Sequence, residues 1–126
     1  MIGNVSAEEQ INLMCSTIQK QSSDNISMNE STSKYYLNII DGKDLFIRYS
    51  LSTTGETLKV NKMNNSVINA KSQVDCVDCF YINEVSIDRL SGDISIYQSL
   101  VKKEGNGGFI YSEGNCRAMD IKKPKF

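Results

Sequence analysis

Four cysteines, at positions 15, 76, 79 and 116, are the residues with the most chemistry to offer in this chain. Cys76-Val77-Asp78-Cys79 has the Cys-X-X-Cys spacing of redox dithiols. Redox catalysis needs the first thiol at a helix N-terminus, where the dipole lowers its pKa. Here the flanks, Val74-Asp75 and Phe80-Tyr81-Ile82, read as strand, and Asp75 and Asp78 would oppose a thiolate. A zinc site built from Cys15, Cys76, Cys79 and Cys116 lacks the second closely spaced ligand pair that structural zinc motifs carry. An even cysteine count in a small domain therefore reads as disulfides and an oxidising compartment. Four cysteines allow three pairings. The expected one is Cys15–Cys116, tying the first strand to the last, with Cys76–Cys79 closing a small local loop.

Other catalytic constellations are missing. Histidine is absent, so no histidine-based triad or histidine metal site can form. Asp88 and Asp93 flank a turn, but nothing distinguishes them from solvated turn aspartates. Gly105-Asn106-Gly107-Gly108 lacks the lysine and serine of a phosphate loop and reads as a flexible turn. The expectation is no catalysis, no cofactor and no metal. Six tyrosines recur along the candidate strands. Tyr36 and Tyr97, if they fall on an outer face, are the candidate partner anchors, because tyrosine is enriched at binding hot spots.

The elements that would position these residues are mostly strands. Val85 and Ile87 alternate with Ser86 and Asp88, and Ile94 and Ile96 with Asp93 and Ser95. Period-two alternation of β-branched residues marks half-buried strands. Arg89-Leu90-Ser91-Gly92 between them reads as a short hairpin loop, with Gly92 supplying a positive φ. Asp88, Arg89 and Ser91 then shape and solvate the turn. Tyr35, Leu37 and Ile39 face Leu45, Ile47, Tyr49 and Leu51 across Asp41-Gly42, a strong hairpin signal.

Around these two hairpins the remaining assignments follow in order. Ser6-Ala7-Glu8-Glu9 has the form of a capping box. From 10 to 20 two periodicities compete: Ile11, Met14, Cys15 and Ile18 fit a helical face, whereas Ile11, Leu13, Cys15 and Thr17 fit a strand face. The reading adopted is a short helical turn over 6–9 and a first strand over 10–20. Residues 21–33 form a long polar loop. The turn 52–55, strand 56–62, turn Asn64-Asn65 and strand 67–71 come next. Residues 72–78 are read as a connection carrying the two cysteines. Phe80 and Ile82 occupy one strand phase and Val85 and Ile87 the other, which predicts a bulge at Asn83-Glu84. Strands over 93–100, 109–112 and 115–119 follow, the last two separated or bent by Gly114, and 120–126 is a tail.

About eight short strands at turn spacings of about 10 residues predict one all-β domain over 1–126, an antiparallel barrel or sandwich. Closure would remove exposed strand edges. The net charge of −1 argues against a nucleic-acid surface. No run reaches the roughly 20 apolar residues of a membrane-spanning helix. Four Asn-X-Ser triplets, beginning at Asn4, Asn25, Asn29 and Asn64, match the chance expectation for so Asn- and Ser-rich a chain. Met1-Ile2-Gly3-Asn4 does not resemble a signal peptide. The cysteines favour a mature secreted or periplasmic chain over a cytosolic one.

Cys15, the turn Asp88-Arg89-Leu90-Ser91-Gly92, Gly114-Asn115-Cys116 and Phe126 together resemble a loosely defined group of small secreted bacterial β-proteins. Ser91-Gly92 also resembles part of the loop of periplasmic lysozyme-inhibitor barrels. Tyr97 lies further along than the tyrosine of that loop, so no inhibitory residue carries over. A compact, disulfide-tied barrel lacking catalytic groups suits a non-enzymatic periplasmic or secreted protein-binding module, an inhibitor or toxin-immunity protein, whose expected partner is a toxin or a cell-wall enzyme. Loops 21–33 and 102–108 would add contacts. The alternative is a carrier of a small apolar ligand inside the barrel.

Overall fold

Alternating apolar residues close the chain on itself. The computed structural model describes residues 10–23, 32–49 and 55–119. It contains eight strands: β1 (Gln10–Ser22), β2 (Ser33–Ile40), β3 (Asp44–Tyr49), β4 (Gly55–Met63), β5 (Val67–Cys76), β6 (Cys79–Asp88), β7 (Asp93–Lys102) and β8 (Gly108–Ala118). Each pairs antiparallel with the next, and β8 pairs back onto β1, giving a closed barrel in simple sequential order. The capping-box segment 6–9, most of the polar stretch 21–33, residues 50–54 and the tail 120–126 with Phe126 lie outside the described residues, as do the triplets at Asn4, Asn25 and Asn29.

The competition over 10–20 resolves in favour of the strand. Cys15 and Thr17 are buried inside the barrel, whereas Ile18, which a helical face would have buried, is exposed. Burying strands on one face requires period two, and β1 has partners on both sides to satisfy its backbone. Leu37, Ile39, Leu45, Leu58 and Ile68 are essentially inaccessible and form the centre of the core with Ile87 and Ile94. Ile11, Leu13, Val60 and Met63 pack against it.

Three expectations about local structure are corrected. Residues 72–78 are not a connection: β5 continues to Cys76, and Val77-Asp78 alone turns the chain, with Asp78 at φ 58°. Backbone pairing with β6 sustains this extension although Ser72, Gln73 and Asp75 are polar. No bulge occurs at Asn83-Glu84. β6 keeps one register against both neighbours from Cys79 to Ile87; the register shifts fall instead at Gln19/Gln21 and Val60/Lys62. The change of apolar phase along β6 records a change in which face is apolar. Finally, 109–112 and 115–118 belong to one strand, β8, and Met119 lies just past its end. Gly114 does not break it: a Cβ there would sit 1.7 Å from the Ser16 carbonyl oxygen, so glycine lets β8 approach β1.

The two ends of the barrel differ. At one end lie the turns 41–43, 64–66 and 89–92, stitched to their neighbours. Asp88 accepts hydrogen bonds from the backbone N–H of Leu90 (2.8 Å) and Ser91 (3.1 Å). Arg89 donates through its guanidinium to the Asn64 carbonyl (2.7 Å) and through its backbone to Ser66 (2.8 Å). Gly92, at φ 83°, accepts from the Cys116 N–H at 2.7 Å. At the other end, called the mouth below, β5 and β6 run on to the turn Val77-Asp78.

Candidate functional site

Going up the inside of β5–β8, successive cross-strand rows change character. Ile68, Ile87, Ile94 and Gly114 form one row, and Ala70, Val85, Ile96 and Ser112 the next. The following row is polar: Ser72, Asn83, Gln98, then Ile110. Above it stand Val74, Tyr81 and Leu100, of which Val74 and Tyr81 are about half exposed. The polar row is wired together. The Asn83 amide nitrogen donates to Glu56 Oε1 (2.7 Å) and to Ser72 Oγ (3.4 Å), and Gln98 Nε2 donates to Asn83 Oδ1 (3.2 Å). Asn83 is buried, so these bonds offset the cost of taking its amide out of water.

A pocket of about 220 Å³ sits against this row. Ile47, Leu58, Val85 and Ile96 make its floor; Tyr35, Glu56, Asn83 and Gln98 line its wall, with Arg48 and Gly55 at the edge. Burial pushes the Glu56 carboxyl above its ordinary value.

The outer surface of the same strands carries the residues whose phase looked like a slip. With β6 straight, Phe80 and Ile82 face outward. Outward rows join Ile82 to Ser99 and Phe109, Phe80 to Val101, and Glu84 to Tyr97 and Tyr111. Tyr97 is partly exposed and stacks on Phe109 with ring centroids 5.8 Å apart. Tyr36 also faces outward, on β2, but Arg48 covers its ring at 5.0 Å from the centroid. β2 and β7 are three strands apart around the circuit, so Tyr36 and Tyr97 do not share one patch.

The cysteines form two disulfides, Cys15–Cys116 and Cys76–Cys79. The first joins directly opposed residues of β1 and β8 within the core, across the seam where the barrel closes. The second staples the tip of the β5–β6 hairpin, where Val77 is 92% exposed. The Asp88–Gly92 turn and Gly114-Asn115-Cys116 are in contact. The Asn115 side-chain amide donates to the Ser91 carbonyl (3.3 Å) and to the Asp93 carboxylate (3.2 Å). Backbone N–H groups of Ser91, then Leu90, hold the Asp88 carboxyl below its ordinary value. These motif residues build the stitched end of the barrel.

Glu56, Ser72, Asn83 and Gln98 were not singled out from the sequence. A signal existed: Asn83 stands in the phase of Val85 and Ile87, and Gln98 in that of Ile94 and Ile96, so each is a polar residue at a core-facing position. No helix among the described residues is long and apolar enough to cross a membrane. The sequence matches no family model and no curated protein.

Proposed function

We propose that the protein is a non-enzymatic binding module that works outside the cytoplasm by docking another protein on the outer face of β6–β8. An inhibitor or toxin-immunity role, directed at a toxin or a cell-wall enzyme, fits such a module. The observation that carries the reading is the outer face of β6–β8, where Tyr97 and Val101 are exposed and Phe80, Ile82, Phe109 and Tyr111 are half-buried beside them. Contiguous apolar surface that the fold does not bury is a usual mark of a partner site, and aromatic residues dominate binding hot spots. Two disulfides in 126 residues support an oxidising compartment. Volume speaks against the apolar carrier. The pocket is about 220 Å³, whereas ligand pockets usually hold roughly 300–1,000 Å³.

The test is photocrosslinking in the native compartment from a benzophenone side chain placed at Tyr97 or Phe109, with Thr57 on β4 as the control position. A discrete adduct with a second protein from 97 and 109, and none from 57, is the expected result. The reading fails if all three positions give the same adducts or if none forms.

A further inference from the structure

The mouth pocket has a polarity that its hydrogen bonds dictate. An ionised carboxylate only accepts, so the Asn83 amide turns its NH₂ to Glu56. That leaves Asn83 Oδ1 facing Gln98, which turns its own NH₂ to meet it. Both ends of the chain are therefore acceptors: Glu56 Oε2 and Gln98 Oε1 have no hydrogen-bond partner among the described residues. The floor beneath is apolar. Arg48, the cation on the pocket edge, has its guanidinium over the Tyr36 ring on the outer face. A pocket with an apolar floor, one carboxylate and a second acceptor is complementary to a cation on a short hydrocarbon stem. The pocket, at about 220 Å³, exceeds the roughly 150 Å³ that accommodates benzene in a protein core.

We propose that the mouth of the barrel is a binding pocket for an alkylammonium group, which Glu56 and Gln98 hold by charge-assisted hydrogen bonds while Ile47, Leu58, Val85 and Ile96 cover its stem. The ammonium has two chemical sources, a lysine side chain of a docked protein or a small free amine. The site stands apart from the outer face and does not depend on it.

The experiment titrates the folded, disulfide-bonded protein with n-butylammonium and follows the side-chain amide signals of Asn83 and Gln98 by NMR. Saturable shifts of those two signals are expected, with no saturation by butyrate and at least about tenfold weaker binding of 1-butanol, because a hydrogen bond to an ionised group is about twice as strong and Glu56 gains the charge attraction. Glu56→Gln weakens n-butylammonium at least about tenfold. Gln98→Met, close to isosteric, weakens it about fivefold. Tyr97→Ala leaves it unchanged, which separates this pocket from the outer face. A blocked Gly-Lys-Gly peptide then distinguishes the sources. Binding at least as tight as n-butylammonium assigns the pocket to a partner's lysine; rejection of the peptide with the amine still bound assigns it to a free amine. Equal binding of 1-butanol, absence of saturation, or full binding by folded Glu56→Gln would overturn the proposal.

Discussion

The stitched end of the barrel and its mouth are made from the same strands but solve opposite problems. At the stitched end, short turns donate and accept among themselves, apolar side chains fill the interior, and Asp88 is held ionised by backbone N–H groups. At the mouth the interior row turns polar and burial disfavours the charge on Glu56. The contrast separates stability from recognition. Groups satisfied within the chain hold the fold, and groups left partly unsatisfied are those with something to offer a ligand.

The two disulfides give the sharpest way to break this comparison. Removing Cys15–Cys116, whose partners are 101 positions apart in sequence, should cost about 4–5 kcal/mol if loop-closure entropy governs. Removing Cys76–Cys79, three residues apart, should cost about 2 kcal/mol or less. Urea denaturation of the two double-serine variants measures both; equal losses would mean that chain entropy is not what the seam disulfide contributes. Next in size, Leu45→Ala in the filled interior should lose about 3 kcal/mol by the same assay. Gly114→Ala should lose about 2 kcal/mol, because the new Cβ forces β8 away from β1.

The smallest effects are differences of sign with pH. Asp88 has a lowered pKa when folded, so its stabilisation is present above its ordinary value of 3.8 and is lost as pH falls through the lowered one. Glu56 has a raised pKa, so the folded chain binds the proton more tightly than the unfolded one. Its contribution is full below 4.5 and is lost as pH rises through the raised value. Thermal midpoints between pH 3 and 8 should therefore show Asp88→Asn flattening the acid limb and Glu56→Gln gaining stability toward neutral pH. A Glu56→Gln curve parallel to the parent's from pH 4.5 upward would mean that Glu56 contributes nothing to the pH dependence. Arg48 and Tyr35, which line the same pocket, are kept in both proteins.

Much of the architecture was legible in the residues. The Asp41-Gly42 hairpin, the Arg89–Gly92 turn and the alternation along β2, β3, β6 and β7 are local signals, each set by a few neighbouring side chains and by backbone sterics. Both disulfide pairings followed from expecting the first strand to meet the last. The site was much less legible. Phe80 and Ile82 looked like a slip in a strand because a one-dimensional pattern cannot tell an outward apolar residue from an inward one out of register. The polar row of Ser72, Asn83 and Gln98 comes from three strands, and Glu56 reaches it from a fourth.

By itself, then, the sequence determined most of the strand content and the turns around 41–42, 64–65 and 89–92, which depend on periods and contacts of a few residues, and its even cysteine count pointed to disulfides. Only the closed barrel decided that β8 pairs with β1 through Gly114, that β6 runs straight, and that Glu56 and Gln98, 42 positions apart by their numbers, end in one pocket. The physical reason is that register between strands is a collective quantity. It is set when every strand buries one face at once around a shared interior, and that constraint exists only after the circuit has closed.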